Sequence, residues 1–166
     1  MAIPQFSAPW SVSSKFITLL LSLVCLSVPI FIYVLSKNGT PFSPAVELLA
    51  VLGPFFVVGS GLFSVLGYSI SERKLIIHRP FWKTSFKLDG LEEATLRGED
   101  FRVGVRLFGS GGFWGWTGWF WNREFGRYRF LGTRLEKVVV LRWKERTLVI
   151  SPEDGAGLIE AVDFNK

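Results

Sequence analysis

A chain of 166 residues with a mean hydropathy of +0.34 is too apolar for an ordinary soluble domain, and a single cysteine excludes an internal disulfide. The net charge of +5 raises nucleic acid as a partner, but no basic tract, finger or recognition-helix pattern supports it. With one thiol, Cys25, and one imidazole, His78, the chain lacks the means for a Cys- or His-rich metal site, and no cofactor is expected.

Residues 1–15 form an N-terminal segment. Two runs without a charged residue follow, Phe16 to Ser36 and Leu48 to Ile70, of 21 and 23 residues. At 1.5 Å per residue each makes a helix of about 30 to 35 Å, the thickness of a bilayer's hydrocarbon core. The first run is too long for the apolar core of a signal peptide, and no small-x-small cleavage site precedes the second run, so a retained helix is expected. The connector holds Asn38-Gly39, Pro41 and Pro44 and must turn. Ser43-Pro44 reads as an N-cap followed by proline at the first helical position, with Glu47 at the positive end of the helix dipole. The second helix is expected to end near Tyr68, which makes residues 16–70 a transmembrane hairpin. Thr18 and Ser22 in the first span, and Ser60 and Ser64 in the second, sit at the four-residue spacing that allows close helix packing. The connector carries one basic residue, Lys37, whereas Arg73, Lys74, Arg79 and Lys83 follow the second span and Lys15 precedes the first. The positive-inside rule then predicts a multi-pass protein of the inner (plasma) membrane with both termini cytoplasmic.

Residues 71–166 hold 17 Lys and Arg against 13 Asp and Glu, an ordinary surface for a small domain. Their pattern is β-rich. Strands are predicted at Lys74–Arg79, Thr84–Leu88, Arg102–Phe108, Arg127–Leu131, Lys137–Trp143 and Thr147–Ser151, the last two joined by a tight turn at Glu145. Arg127 and Arg129 alternate with Tyr128 and Phe130, a half-buried strand with a basic outer face. Ser151-Pro152-Glu153-Asp154 signals the start of a final helix striped by Leu158, Ile159 and Val162. The expected fold is α+β: two transmembrane helices, then a small antiparallel β-barrel or curled sheet plugged by a C-terminal helix.

Tyr68-Ser-Ile-Ser-Glu-Arg-Lys-Leu-Ile-Ile-His-Arg-Pro-Phe resembles the opening hairpin of bacterial pleckstrin-homology-like (PH-like) domains that follow paired membrane helices. Gly111-Gly-Phe-Trp-Gly-Trp-Thr-Gly-Trp-Phe-Trp-Asn-Arg-Glu-Phe-Gly is similar to a Gly/aromatic block of those domains, as is Leu148-Val-Ile-Ser-Pro-Glu-Asp to their approach to the last helix. The resemblance spans about residues 66 to 164. It implies a fold that hosts many binding roles and few catalytic ones.

Phe108 to Trp121 contains seven aromatics and five glycines without a charge, and four of the chain's seven tryptophans: Trp114, Trp116, Trp119 and Trp121. The glycine spacing does not fit a dinucleotide or P-loop cradle. Three readings stay open: the segment closes the barrel, it lies at a bilayer interface with Arg123, Arg127 and Arg129 facing anionic lipid, or it docks a protein. Gly118 suggests a turn between the tryptophan pairs, and Trp116 is the ring expected to be exposed. Catalytic groups are not evident, since the adjacent Glu92 and Glu93 would point to opposite faces of a strand. The sequence therefore reads as a non-catalytic membrane-anchored accessory subunit or assembly factor of an integral membrane protein complex. The alternative is a module that senses membrane lipids through the basic strand and the tryptophans.

Overall fold

The computed structural model describes residues 4–39, 42–98 and 100–164. The chain opens with a short strand, β1 (Gln5–Ser7), and then enters helix α1 (Val12–Lys37). Ser11 caps that helix, its Oγ accepting from the Ser14 N–H at 3.2 Å. Helix α2 (Pro44–Gly61) starts as its sequence dictates, with Ser43 at the N-cap, Pro44 in the first turn and Glu47 beside it. By length and composition both helices are long and apolar enough to span a membrane. Their 26 and 18 residues make rods of about 39 and 27 Å. Ser14, Thr18, Ser22, Cys25, Pro29, Ile32 and Leu35 on α1, and Ala50, Gly53, Pro54, Val57, Gly59, Ser60 and Gly61 on α2, are their less exposed positions. Where Gly53 meets Cys25 a Cβ would stand 3.1 Å from the cysteine carbonyl, so glycine is what permits that approach.

The second helix stops at Gly61, one and a half to two turns short of the expected end near Tyr68. Two tight turns, Phe63 N–H to Ser60 O and Ser64 N–H to Gly61 O, break it. The apolar residues that lengthened the run belong to a strand instead. Val65, Tyr68 and Ile70 are buried in the core, and that burial outweighs continuing a helix.

Among the described residues ten strands form two sheets. The first has the order β1-β2-β3-β4, with β2 (Gly67–Ser71), β3 (Lys74–His78) and β4 (Lys83–Lys87). The second has the order β5-β9-β10-β8-β7-β6. Its members are β5 (Leu91–Arg97), β6 (Val105–Gly112), β7 (Gly115–Asn122), β8 (Gly126–Gly132), β9 (Val138–Trp143) and β10 (Arg146–Ile150). Helix α3 (Gly155–Phe164) closes the chain. The expected closed barrel is not formed: among the described residues no ladder joins the two sheets, and β10 lies parallel to β8 because it inserts between β8 and β9. Side chains hold the sheets face to face. Ile70, Leu75 and Ile77 of one sheet meet Leu131, Leu141, Leu148 and Ile150 of the other, sealed by Leu158 and Val162 of α3. Each such side chain, at 2% exposure or less, contributes about 1.5–3 kcal/mol. The other face of the six-stranded sheet buries Phe120, Tyr128, Phe130, Val138, Val140 and Val149 under the segment that carries Phe101 and Val103. That covering role explains why the strand expected at Arg102–Phe108 begins later, at Val105, and runs on to Gly112. Ser151 is likewise not the cap of α3. Asp154 is, accepting from the Gly157 N–H at 2.9 Å, while Ser151 Oγ accepts from the Thr133 N–H at 2.7 Å.

The segment ahead of α1 is woven into the domain. Phe6 pairs with Tyr68 in the β1/β2 ladder, and Ser7 O accepts from the Glu153 N–H at 2.9 Å. Pro9 O accepts from Thr133 Oγ1 at 2.7 Å. The two long helices are thus an excursion between adjacent antiparallel strands, so α1 leaves and α2 returns at the same end of the sheet.

Candidate functional site

The Gly/aromatic block folds as the β6/β7 hairpin. Its turn lies at Phe113 and Trp114, where Trp114 takes a left-handed φ of 57°. Gly118 is not the expected turn but a continuous part of β7. It pairs with Gly109, and a Cβ on either would collide with the facing strand, on Phe108 O or Thr117 O. Both have φ values, 146° and 115°, that favour glycine.

The hairpin tip sits against both helices. The Trp114 N–H donates to Thr18 Oγ1 at 3.0 Å, and its ring lies over Gly61, where a Cβ would stand 3.2 Å away. Trp10 meets the same indole edge-on at 5.6 Å, and Phe113 stacks on Phe56 of α2 at 6.0 Å. The structure thus gives Thr18 a hairpin contact. Ser22 is half-buried on α1, Ser60 Oγ donates back to Phe56 O at 2.6 Å, and Ser64 lies beyond the helix end. Beside its tip the hairpin follows the first turns of α1. Thr133, at the β8 end beside Gly115, holds the first turn of α1 through Ser14 Oγ at 3.3 Å, and the tip reaches Thr18 one turn further on.

The other tryptophans divide by strand parity. Trp116 points into the second core, its ring 6.2 Å from Phe120, and is half-buried rather than exposed. Trp119 and Trp121 occupy the opposite face, and Trp121 is the exposed ring at 44%. On that face two cross-strand rows form, Phe108–Trp119–Arg129 and Val105–Trp121–Arg127. The Arg127 guanidinium lies 4.4 Å from the Trp119 ring centre, and Arg129 lies between Trp119 at 5.9 Å and Phe86 of β4 at 5.7 Å. Arg146 continues the series from Phe86 at 5.9 Å to Trp143 at 4.4 Å. Arg123 stands apart, exposed in the β7/β8 turn. The arginine face of β8 is therefore the same face that buries Leu131; it is open because the four-stranded sheet covers only part of its partner. Among the described residues no carboxylate pairs with Arg127, Arg129 or Arg146. Sequence reasoning placed Val105 and Phe108 in a strand without singling them out as contact residues, and left Pro9 and Ser14 in an N-terminal segment with no assigned element.

A further cluster marks the α2 exit. Arg79 donates to Phe63 O and lies 5.9 Å from the Trp82 ring, which meets Phe63 edge-on at 5.1 Å. Burial, and then the neighbouring Arg129, lowers the pKa of Arg79 below its ordinary value. Residues 66–164, well over half of the chain, match the family model described as the bacterial PH domain. The chain belongs to the bacterial PH domain family. A bacterial PH domain is, as a family, a non-enzymatic module. No curated protein and no solved structure matches the chain.

Proposed function

We propose that the protein is a membrane-anchored, non-catalytic accessory subunit or assembly factor of a larger integral membrane complex. In this reading α1 and α2 span the inner membrane and the PH domain braces its cytoplasmic side. One observation carries it: the helical hairpin and the PH domain are joined at three places, through β1, Thr133 and the Phe113–Trp114 tip, while the outward helix faces remain apolar. A tether needs only a linker; a rigid joint between spans and domain suits a part that holds other spans in register. The exposed rings of Phe31 and Phe55 offer helix surface for such neighbours.

The rival reading, a lipid-sensing surface, draws on the arginine–tryptophan rows. Their position argues against it. Counting 3.3 Å per residue back from Trp114, the Trp119 and Trp121 rows lie about 16 and 23 Å along the strand from the tip, so a hairpin aligned with the helices would carry them beyond a head-group layer about 5–8 Å thick.

Affinity purification of the tagged full chain from native membranes in mild detergent tests the proposal. Stoichiometric membrane partners and migration well above the monomer in a native gel are expected. Recovery of the monomer alone would refute it. With Cys25 replaced by serine, cysteine at Asn38 is expected to react with an impermeant thiol reagent in intact cells and cysteine at Asp163 is not.

A further inference from the structure

The open face of the six-stranded sheet is amphipathic along a defined axis. Its β6 side is apolar, with Val105 at 61% and Phe108 at 77% exposure, and its β8 side carries Arg127 and Arg129. Two strand spacings separate the sides, about 10 Å, the diameter of one helix. The arginines are two residues apart on one strand face, about 6.6 Å, which matches carboxylates placed four apart on a helix. Both guanidinium groups lie over the Trp119 ring, at 4.4 and 5.9 Å from its centre, and among the described residues no carboxylate pairs with either, so their N–H donors can take a carboxylate from outside.

We infer that the face formed by Val105, Phe108, Trp119, Trp121, Arg127 and Arg129 docks an acidic amphipathic helix of a partner protein. The inference rests on the accessory-subunit reading and names the chemistry of the contact. A second copy of this chain does not fit, because two-fold docking through this face would set the arginines against either its arginines or its apolar Val105 and Phe108, with no carboxylate on the face to pair them. Lipid fits less well, because a hairpin aligned with helices that cross the bilayer would hold both rows outside the head-group layer.

A photoreactive residue at Val105 of the full chain, in native membranes, tests the assignment, with one at Arg106 on the opposite face as control. The expected product is a protein adduct at Val105 whose crosslinked peptide carries carboxylates four residues apart. Adduct yield is expected to fall at least about tenfold in R127Q/R129Q and in F108E, the latter placing a negative charge where the acidic helix would lie. Thermal melts of both variants identify any that fails to fold, and F108E alters a side chain that packs little. A lipid adduct, an adduct to a second copy, equal yields at Arg106, or unchanged yields in both folded variants would overturn the inference. If the complex still purifies under that outcome, the accessory-subunit reading stands and the docking face falls; if no complex forms, the reading itself has failed.

Discussion

Tyr68→Phe removes one oxygen from the point where both sheets and the last helix converge. Tyr68 is 1% exposed, and its hydroxyl donates to Leu131 O at 2.9 Å and accepts from the Ser151 N–H at 3.1 Å. Burial pushes its pKa up to about 12, so the group is a neutral donor at any ordinary pH. Phenylalanine fills almost the same volume, and the cost is the carbonyl and the amide left buried without partners. At about 1–3 kcal/mol each, with partial relaxation, the loss is about 2–4 kcal/mol in total. For a domain of this size that lowers Tm by about 10 to 20 °C. The assay is a near-UV circular dichroism melt of the full chain in detergent, where the tryptophans report tertiary packing. Tyr128→Phe is the internal comparison: its hydroxyl has a single partner, the Val103 carbonyl, in a part-buried site, and about half the loss is expected. A Tm change below about 3 °C for Tyr68→Phe would refute the claim that this hydroxyl is a buried double contact.

The tryptophans should separate in the same melt. Trp116→Ser is expected to lower Tm by several degrees because the ring packs on Phe120, whereas Trp121→Ser should leave it nearly unchanged; equal effects would contradict the parity assignment. His78 gives a pH dependence. Burial, and then the nearby Lys83, lowers its pKa below the ordinary 6.5 of a free imidazole, so the unfolded chain takes up the proton first. Stability is then expected to fall as pH drops through about 6.5 and to level off below the folded-state pKa. His78→Gln should remove that slope, and an identical slope in the variant would assign it to other groups.

What the sequence made legible follows from periodicity. The charge-free runs marked both helices, and the alternation at Arg127–Phe130 marked β8, since apolar and basic residues there share no face. Tyr68 was misplaced because a run of apolar residues does not distinguish a helix from a strand buried on both faces; only the ladder with β1 and β3 decides it. Gly118 misled for a related reason. A glycine that prevents collision between strands looks, in one dimension, like a glycine that turns the chain. Trp116 shares parity with Phe120, but assigning a face needs the strand to be continuous, and the supposed turn removed that argument.

The three residues of β1 were invisible because a strand so short carries no period, yet they settle more than any longer element. Pairing Phe6 with Tyr68 makes the helices an insertion rather than a leader, and an insertion between adjacent antiparallel strands must leave and return on one side. The same weave continues through Thr133, which binds Pro9 at the entry to α1 and Ser151 at the approach to α3. A tilt of α1 therefore acts on β8, the strand that carries Arg127 and Arg129, through one hydrogen bond, from Ser14 Oγ to Thr133 O, and the peptide link from Thr133 to Gly132. The open face is built on the part of the domain most firmly coupled to the helices. A partner bound there is held in fixed geometry to whatever the helices contact.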